Sequence, residues 1–144
     1  MRSLLTLILS SLILLSYSND ENNFIDSVLQ VANTIDDDKR VIEYLKIGSE
    51  TRNSNIDTAY YYDSLALLIS KKINNTALIV KSYNYLAVDY RQLGKLKIAE
   101  NYFRKAVELA EGNNNPQELS MVYNNLGYLL DDLGNYVEAL ELFM

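Results

Sequence analysis

The second half of the chain contains one pattern of residues twice, at a constant offset of 40 residues. The first copy comprises Tyr83, Leu86, Ala87, Tyr90, Gly94, Leu96, Ala99 and Phe103, and the second comprises Tyr123, Leu126, Gly127, Leu130, Gly134, Tyr136, Ala139 and Phe143. Apolar residues recur at helical spacing on both sides of the central glycine, so each copy predicts two helices joined by a turn. A fixed period of this length indicates a chain built from stacked structural repeats.

A third, less regular copy precedes these two. Its matching positions are Tyr44, Ile47, Gly48, Ala59 and Ala66. Its helices are predicted at residues 40–52 and from Asp57 onward, but Asp63 stands where the later copies have Phe103 and Phe143. We therefore predict that the second helix is rotated, so that the three tyrosines at 60–62 supply the missing bulk.

The small residues of the pattern predict close contact between helices. Ala87, Ala99 and Ala106 leave room for two helix backbones to approach, and larger side chains there would overpack the contact. Gly94 is expected to end its helix in a left-handed conformation, and Pro116 to begin the next helix. Four tyrosines are predicted to occupy core positions of the repeats: Tyr44, Tyr83, Tyr123 and Tyr136.

These residues and spacings resemble the tetratricopeptide repeat, which has about 34 residues and is therefore shorter than the unit seen here. The resemblance implies an all-α fold, a right-handed superhelix of antiparallel helix pairs, with a capping helix at the N-terminal end. The repeats are then residues 39–76, which are degenerate, residues 77–116, and residues 117–144, whose second helix is incomplete at Met144. We expect a longer protein that continues past this point.

The first 18 residues have the layout of a secretory signal peptide. Arg2 precedes an apolar run from Leu4 to Leu15, and Ser16-Tyr17-Ser18 offers a small-residue cleavage site. The run is too short for a typical membrane-spanning helix, which needs about 20 apolar residues. We therefore expect an exported protein, with residues 19–38 forming a lead-in and the capping helix.

The composition excludes most chemistry. The chain contains no His and no Cys, which removes the usual general base, thiol nucleophile and soft metal ligands. Asp36, Asp37 and Asp38 lack the ligand spacing of a calcium loop, so we interpret them as capping the next helix. We expect no catalytic site, no metal and no cofactor. A net charge of −6 without a basic cluster argues against nucleic acid, and a membrane enters only through a possible downstream anchor.

In tetratricopeptide proteins the first helices line a concave groove that binds a peptide or a partner helix. The resemblance implies that this chain binds a protein or peptide through the corresponding positions. The implied groove residues are Lys46, Ser49, Arg52, Asn53, Lys81, Asn84, Tyr85, Val88, Arg91, Gln92, Asn124, Asn125, Tyr128, Asp131 and Asp132. Tyr85 and Tyr128 are predicted to face this groove, and the alternative is that each residue is simply a solvated position.

Long repeats after a signal peptide, with a turn such as residues 55–59, resemble the exported sensor regions of bacterial signalling proteins of the histidine kinase type. The resemblance implies a non-catalytic scaffold in the sensor part of a longer receptor. Two alternatives remain open: a free-standing periplasmic or secreted adaptor, and the recruitment arm of an enzyme whose catalytic domain follows residue 144.

Overall fold

A computed structural model describes residues 36–113 and 116–143 of the chain. These residues form six α-helices and no strand: α1 (Asp37–Thr51), α2 (Ile56–Lys72), α3 (Thr76–Gln92), α4 (Leu96–Gly112), α5 (Pro116–Asp132) and α6 (Tyr136–Phe143). The predicted signal peptide and capping helix lie outside the described residues. None of the six helices is long and apolar enough to cross a membrane.

The helices stack as a series of hairpins. Each helix packs against the next one along the chain, and α1 and α3, like α3 and α5, are also in contact. The first helices of the three hairpins therefore lie side by side, with the second helices against them. This arrangement confirms the predicted all-α solenoid of helix pairs.

The helix ends follow the signals in the sequence. Asp37 and Asp38 occupy the first turn of α1, where carboxylates suit the positive end of the helix dipole. The α1 helix therefore begins three residues before the predicted start at Arg40. The side chain of Asn55 accepts a hydrogen bond from the backbone amide of Thr58 and caps α2.

The turns inside the hairpins differ. Gly94 and Gly134 have φ angles of 71° and 79°, in the left-handed region that glycine adopts without a steric penalty, as predicted for Gly94. The turn between α1 and α2 contains no residue with positive φ. The first hairpin therefore has a different turn geometry. Its copy of the pattern is also one residue shorter between its two helices than the later copies.

Small residues lie at the tightest contacts between helices. Ala87, Ala99, Ala106 and Phe103 are fully buried in one core cluster, which confirms the predicted close approach of α3 and α4. At the equivalent contact of the third hairpin, a Cβ atom added to Gly127 would lie 2.5 Å from Cζ of Phe143.

The prediction of a rotated α2 is wrong. Asp63 is fully buried and lies against Gly48, just as Phe143 lies against Gly127. Tyr62 is buried and packs on Tyr44 with ring centroids 5.5 Å apart, whereas the tyrosines at 60 and 61 are exposed. The register is kept because an arginine neutralises the buried carboxylate, as described below.

The prediction that Tyr136 is a core residue is also wrong, because 67% of it is exposed. Leu96, which holds the same place in the second hairpin, packs against the core cluster. The difference arises because α4 is packed between α3 and α5, whereas among the described helices α6 packs closely on α5 and is joined to α4 by the exposed Arg104–Glu138 ion pair.

Candidate functional site

The three first helices enclose a cleft of about 480 Å³, which we call the first-helix cleft. Its lining residues are Ile42, Leu45, Lys46, Ser49, Lys81, Tyr85, Gln117, Glu118 and Met121. On each helix they follow the spacing of three or four residues that places side chains on one face. The cleft is therefore a product of the stacking, since each hairpin contributes one wall.

The first-helix cleft combines apolar surface with cationic groups. Leu45 is buried, while Ile42 is 53% exposed and offers apolar area to a ligand. Lys81 lies 3.3 Å from the buried carboxylate of Glu118, measured from Nζ to Oε1, so α3 and α5 are linked by an ion pair inside the cleft. Lys46 on α1 supplies a second ammonium group. Such a site can hold an apolar side chain next to a carboxylate.

A buried ionic cluster, which we call the Arg52 joint, connects the first two hairpins beside this cleft. Arg52 donates from Nε to Oδ1 of Asp89 over 2.6 Å and from Nη2 to Oδ2 of Asp63 over 2.7 Å. Both carboxyl side chains are completely buried, and that of Arg52 is 13% exposed. The guanidinium also lies over the ring of Tyr85, 5.2 Å from its centroid. Tyr85 therefore links the Arg52 joint to the cleft.

The electrostatics of the Arg52 joint are unusual because two carboxyl groups share one cation. Burial, followed by the neighbouring Asp89, raises the pKa of Asp63 to about 8, although Arg52 acts in the opposite direction. Burial also raises the pKa of Asp89, against the lowering effect of Arg52. One oxygen of each carboxyl group, Oδ1 of Asp63 and Oδ2 of Asp89, is buried without a hydrogen-bond partner.

Other predicted groove residues also bridge neighbouring hairpins. Asn84 is almost fully buried and accepts a hydrogen bond from Nδ2 of Asn125 over 2.9 Å. Gln92 donates from Nε2 to the carbonyl oxygen of Arg52, also over 2.9 Å. These amides satisfy each other and the backbone, so their role in the structure is to fix the stacking.

A second ion pair ties α3 to α5 at the surface. Arg91 lies 2.5 Å from Oδ2 of Asp132, measured from Nε, and both side chains are more than a third exposed. The guanidinium also lies 6.0 Å from the ring centroid of Tyr128, which in turn contacts Phe143. This pair differs from the Arg52 joint because it is exposed and contains a single carboxylate.

The structure brings together four of the residues implied by the resemblance and disperses the others. Lys46, Ser49, Lys81 and Tyr85 line the first-helix cleft. The remaining positions are Arg52, Asn84, Gln92 and Asn125 in contacts between hairpins, Val88 packed against the core, Arg91, Tyr128 and Asp132 at the surface pair, and the exposed Asn53, Asn124 and Asp131.

Five cleft residues were missed by the sequence analysis: Ile42, Leu45, Gln117, Glu118 and Met121. Ile42 lies in the first half of α1, and Gln117, Glu118 and Met121 lie in the first half of α5. Leu45 lies one helical turn before Ser49, a position that the resemblance implied. The helical spacing from Lys46 back to Ile42, and from Lys81 to its counterpart at Met121, was the signal that could have found two of them.

Most of the remaining tyrosines pack together across the first two hairpins. Tyr60 and Tyr90 have hydroxyl oxygens 3.1 Å apart, Tyr90 stacks on Tyr102 with centroids 5.1 Å apart, and Tyr102 contacts Tyr83. These rings support the stacking of α2, α3 and α4 and lie outside the cleft.

Within residues 36–113 and 116–143, no group of three or more acidic side chains could hold a metal ion.

The comparisons with known proteins agree with this architecture. The class that the fold defines is a helical solenoid of stacked hairpins. Residues 78–144, which include most of α3 and all of α4 to α6, match the family model of the tetratricopeptide repeat. Repeats of this kind generally serve as non-catalytic scaffolds that bind proteins or peptides. No protein of curated function matches the sequence.

Several solved structures share the fold. The chain is 18% identical to the TPR domain of Arabidopsis FLU, with a TM-score of 0.67, and the match covers 75% of this chain and 92% of that one. It is 24% identical to BtubC (BKLC) from P. vanneervenii, with a TM-score of 0.70, covering 91% of this chain but only 56% of that one. At these identities the likeness is one of fold.

Proposed function

We propose that this chain is a non-catalytic interaction module that binds a protein or peptide partner in the first-helix cleft. The observation that carries the proposal is that all three first helices contribute side chains to one continuous opening of about 480 Å³. An extended peptide or a partner helix laid across the hairpins would touch each wall in turn. The fold supports this role because the repeats of this family generally bind polypeptides.

The side chains of the cleft support a proposal for the kind of segment that binds there. Exposed Ile42 and partly buried Tyr85 and Met121 offer apolar and aromatic area, which supplies most of the binding energy at such sites. Lys46 and Lys81 add positive charge, and Glu118 holds one of these ammonium groups in place. The proposed ligand therefore carries an apolar side chain close to a carboxylate.

The cleft can be tested by blocking it. A peptide-display library is selected against the full chain, and the selected peptides are titrated into wild type and Ser49→Trp, in which the indole fills the cleft. Asn101→Trp, an exposed position on α4 outside the cleft, is the matched control. We expect Ser49→Trp to weaken binding by about tenfold or more, while Asn101→Trp binds as wild type. Equal binding by all three proteins would show that the cleft is not the site.

We further propose that the module is exported and forms the sensor part of a longer signalling protein. The signal-peptide layout of residues 1–18 and the resemblance to sensor regions of the histidine kinase type support this setting. Partner binding would then alter the stacking or assembly of the repeats and so convey the signal. Intact mass of the native protein tests both parts. A mass well above 16.5 kDa supports a longer receptor, and retention of residues 1–18 contradicts cleavage and export.

A further inference from the structure

The Arg52 joint contains more acidic groups than its single cation can balance. Arg52 directly follows α1, Asp63 lies on α2 and Asp89 on α3, and Arg52 is the cation that acts on both carboxyl groups. With both carboxyl groups ionised, the buried cluster would carry one unbalanced negative charge. A buried charge of this kind is strongly unfavourable unless it is neutralised by a partner or a proton.

The hydrogen bonds of the joint point to where a proton resides. Arg52 binds one oxygen of each carboxyl group, and the other two oxygens, Oδ1 of Asp63 and Oδ2 of Asp89, are buried without a partner. The two carboxyl groups lie close to each other, because both bind the same guanidinium and Asp89 contributes to raising the pKa of Asp63. One proton between them would satisfy both oxygens and remove the excess charge.

We propose that Asp63 and Asp89 share one proton and that its release loosens the joint between the first two hairpins, so that pH regulates the first-helix cleft. The regulation of the cleft by pH, which is the regulatory half of the proposal, rests on the proposed function of the cleft. The shared proton does not depend on that function. The link between the two is direct, because the Arg52 guanidinium that holds both carboxyl groups also lies over the ring of the cleft residue Tyr85.

The direction of the effect follows from the environment of the two groups. Burial raises the pKa of both carboxyl groups, so the proton is retained through neutral pH and released in mildly alkaline solution. Release would leave two buried carboxylates facing one another across the α2–α3 contact. Their repulsion acts between the first and second hairpins alone. The exposed Arg91 and Asp132 pair between α3 and α5 has one carboxylate per cation and lacks this property.

The shared proton is tested by nuclear magnetic resonance on the full chain with ¹³C-labelled aspartate carboxyl groups. Between about pH 4 and about pH 10, we expect one carboxyl signal to titrate several units above the ordinary range of aspartate. Asp63→Asn should abolish this titration, because the amide can donate permanently to Asp89. Asp132→Asn, at the exposed pair, should leave it unchanged. If every aspartate of the wild type titrates below about pH 5, the proposal is wrong whether or not the Asn variant folds.

The consequence for the cleft is measured on the same samples. We expect the ring signals of Tyr85, assigned with Tyr85→Phe, to shift with the same midpoint as the carboxyl group. Amide exchange in α1 and α2, corrected for its intrinsic pH dependence, should accelerate above that midpoint. Titration of the proton without either change would overturn the regulatory half. If the cleft does not bind peptides in the blocking experiment, the proposed function fails, but the titration of the carboxyl group is unaffected. Failure of the proposed function and failure of the shared proton are therefore distinguishable.

Discussion

Arg52, the residue that directly follows α1, donates from Nε to Oδ1 of Asp89 on α3 over 2.6 Å, across the boundary between the first and second hairpins. The same guanidinium binds Asp63 within its own hairpin. A single arginine thus fixes both the packing of the first hairpin and its attachment to the next.

Removing this arginine should destabilise the chain severely. Arg52→Met leaves two carboxyl groups buried without a cation, and loss of one partner of a buried ionic cluster typically costs about 3–5 kcal/mol. Chemical denaturation followed by circular dichroism measures the free energy of unfolding. Arg91→Met, which removes the exposed pair with Asp132, is the control and should cost less than about 1 kcal/mol. Similar losses in both variants would contradict the distinct role assigned to the Arg52 joint.

The two glycines at equivalent helix contacts should differ in their tolerance of alanine. A Cβ atom on Gly48 would clash with the Asp63 carboxyl group, which Arg52 holds in place, so Gly48→Ala should cost about 1–3 kcal/mol. A Cβ atom on Gly127 meets the ring of Phe143, which is 47% exposed and can move away. Gly127→Ala should therefore cost less. Thermal denaturation of the two variants provides the comparison, and the reverse order would contradict it.

The close contact of α3 with α4 should not accept a charge. Ala99 is fully buried, so Ala99→Asp introduces a carboxylate without a partner, and we expect a loss of about 4 kcal/mol or more. Asn101→Asp, two residues along the same helix and exposed, should have almost no effect on the melting temperature. An unchanged melting temperature for Ala99→Asp would refute the packing described for α4.

Stability should decline from mildly acidic to mildly alkaline pH. The pKa of Asp63 is raised from 3.8 to about 8 in the folded chain, so the folded state binds more protons than the unfolded state between these values. The contribution of Asp63 is therefore complete below about pH 4 and is lost as the pH rises through about 8. Urea denaturation of wild type and Asp63→Asn at several pH values isolates this contribution as the difference between them. A constant difference across this range would contradict the raised pKa.

Repetition explains why so much of the fold could be predicted. The glycine turn at residue 94, the buried Ala99 and Ala106, and the start of α6 at Tyr136 are all positions that recur in the sequence. Each copy supplies independent evidence for the same local geometry, so an error in one is corrected by the others. The burial of Tyr136 could not be inferred this way, because it depends on what covers α6.

The cleft and the Arg52 joint depend on contacts between hairpins, which a periodic pattern does not describe. Arg52 and Asp89 are 37 residues apart, and no local rule relates them. The one available signal was Asp63 at a position held by phenylalanine in both later copies. A charged residue at a core position requires a nearby counter-charge, and Arg52 is 11 residues away.

The Arg52 joint also limits how the hairpins can be rearranged. Stacked repeats are usually treated as modular parts that can be copied, deleted or grafted one at a time. Here the first hairpin carries the cation and one carboxyl group, and the second carries the other carboxyl group. The second hairpin transplanted alone would leave Asp89 buried without a cation, and the first would lose one of the two carboxyl groups that Arg52 binds. The first two hairpins therefore form a single structural unit. Chimeric arrays built from this chain should divide it after α4 and not after α2.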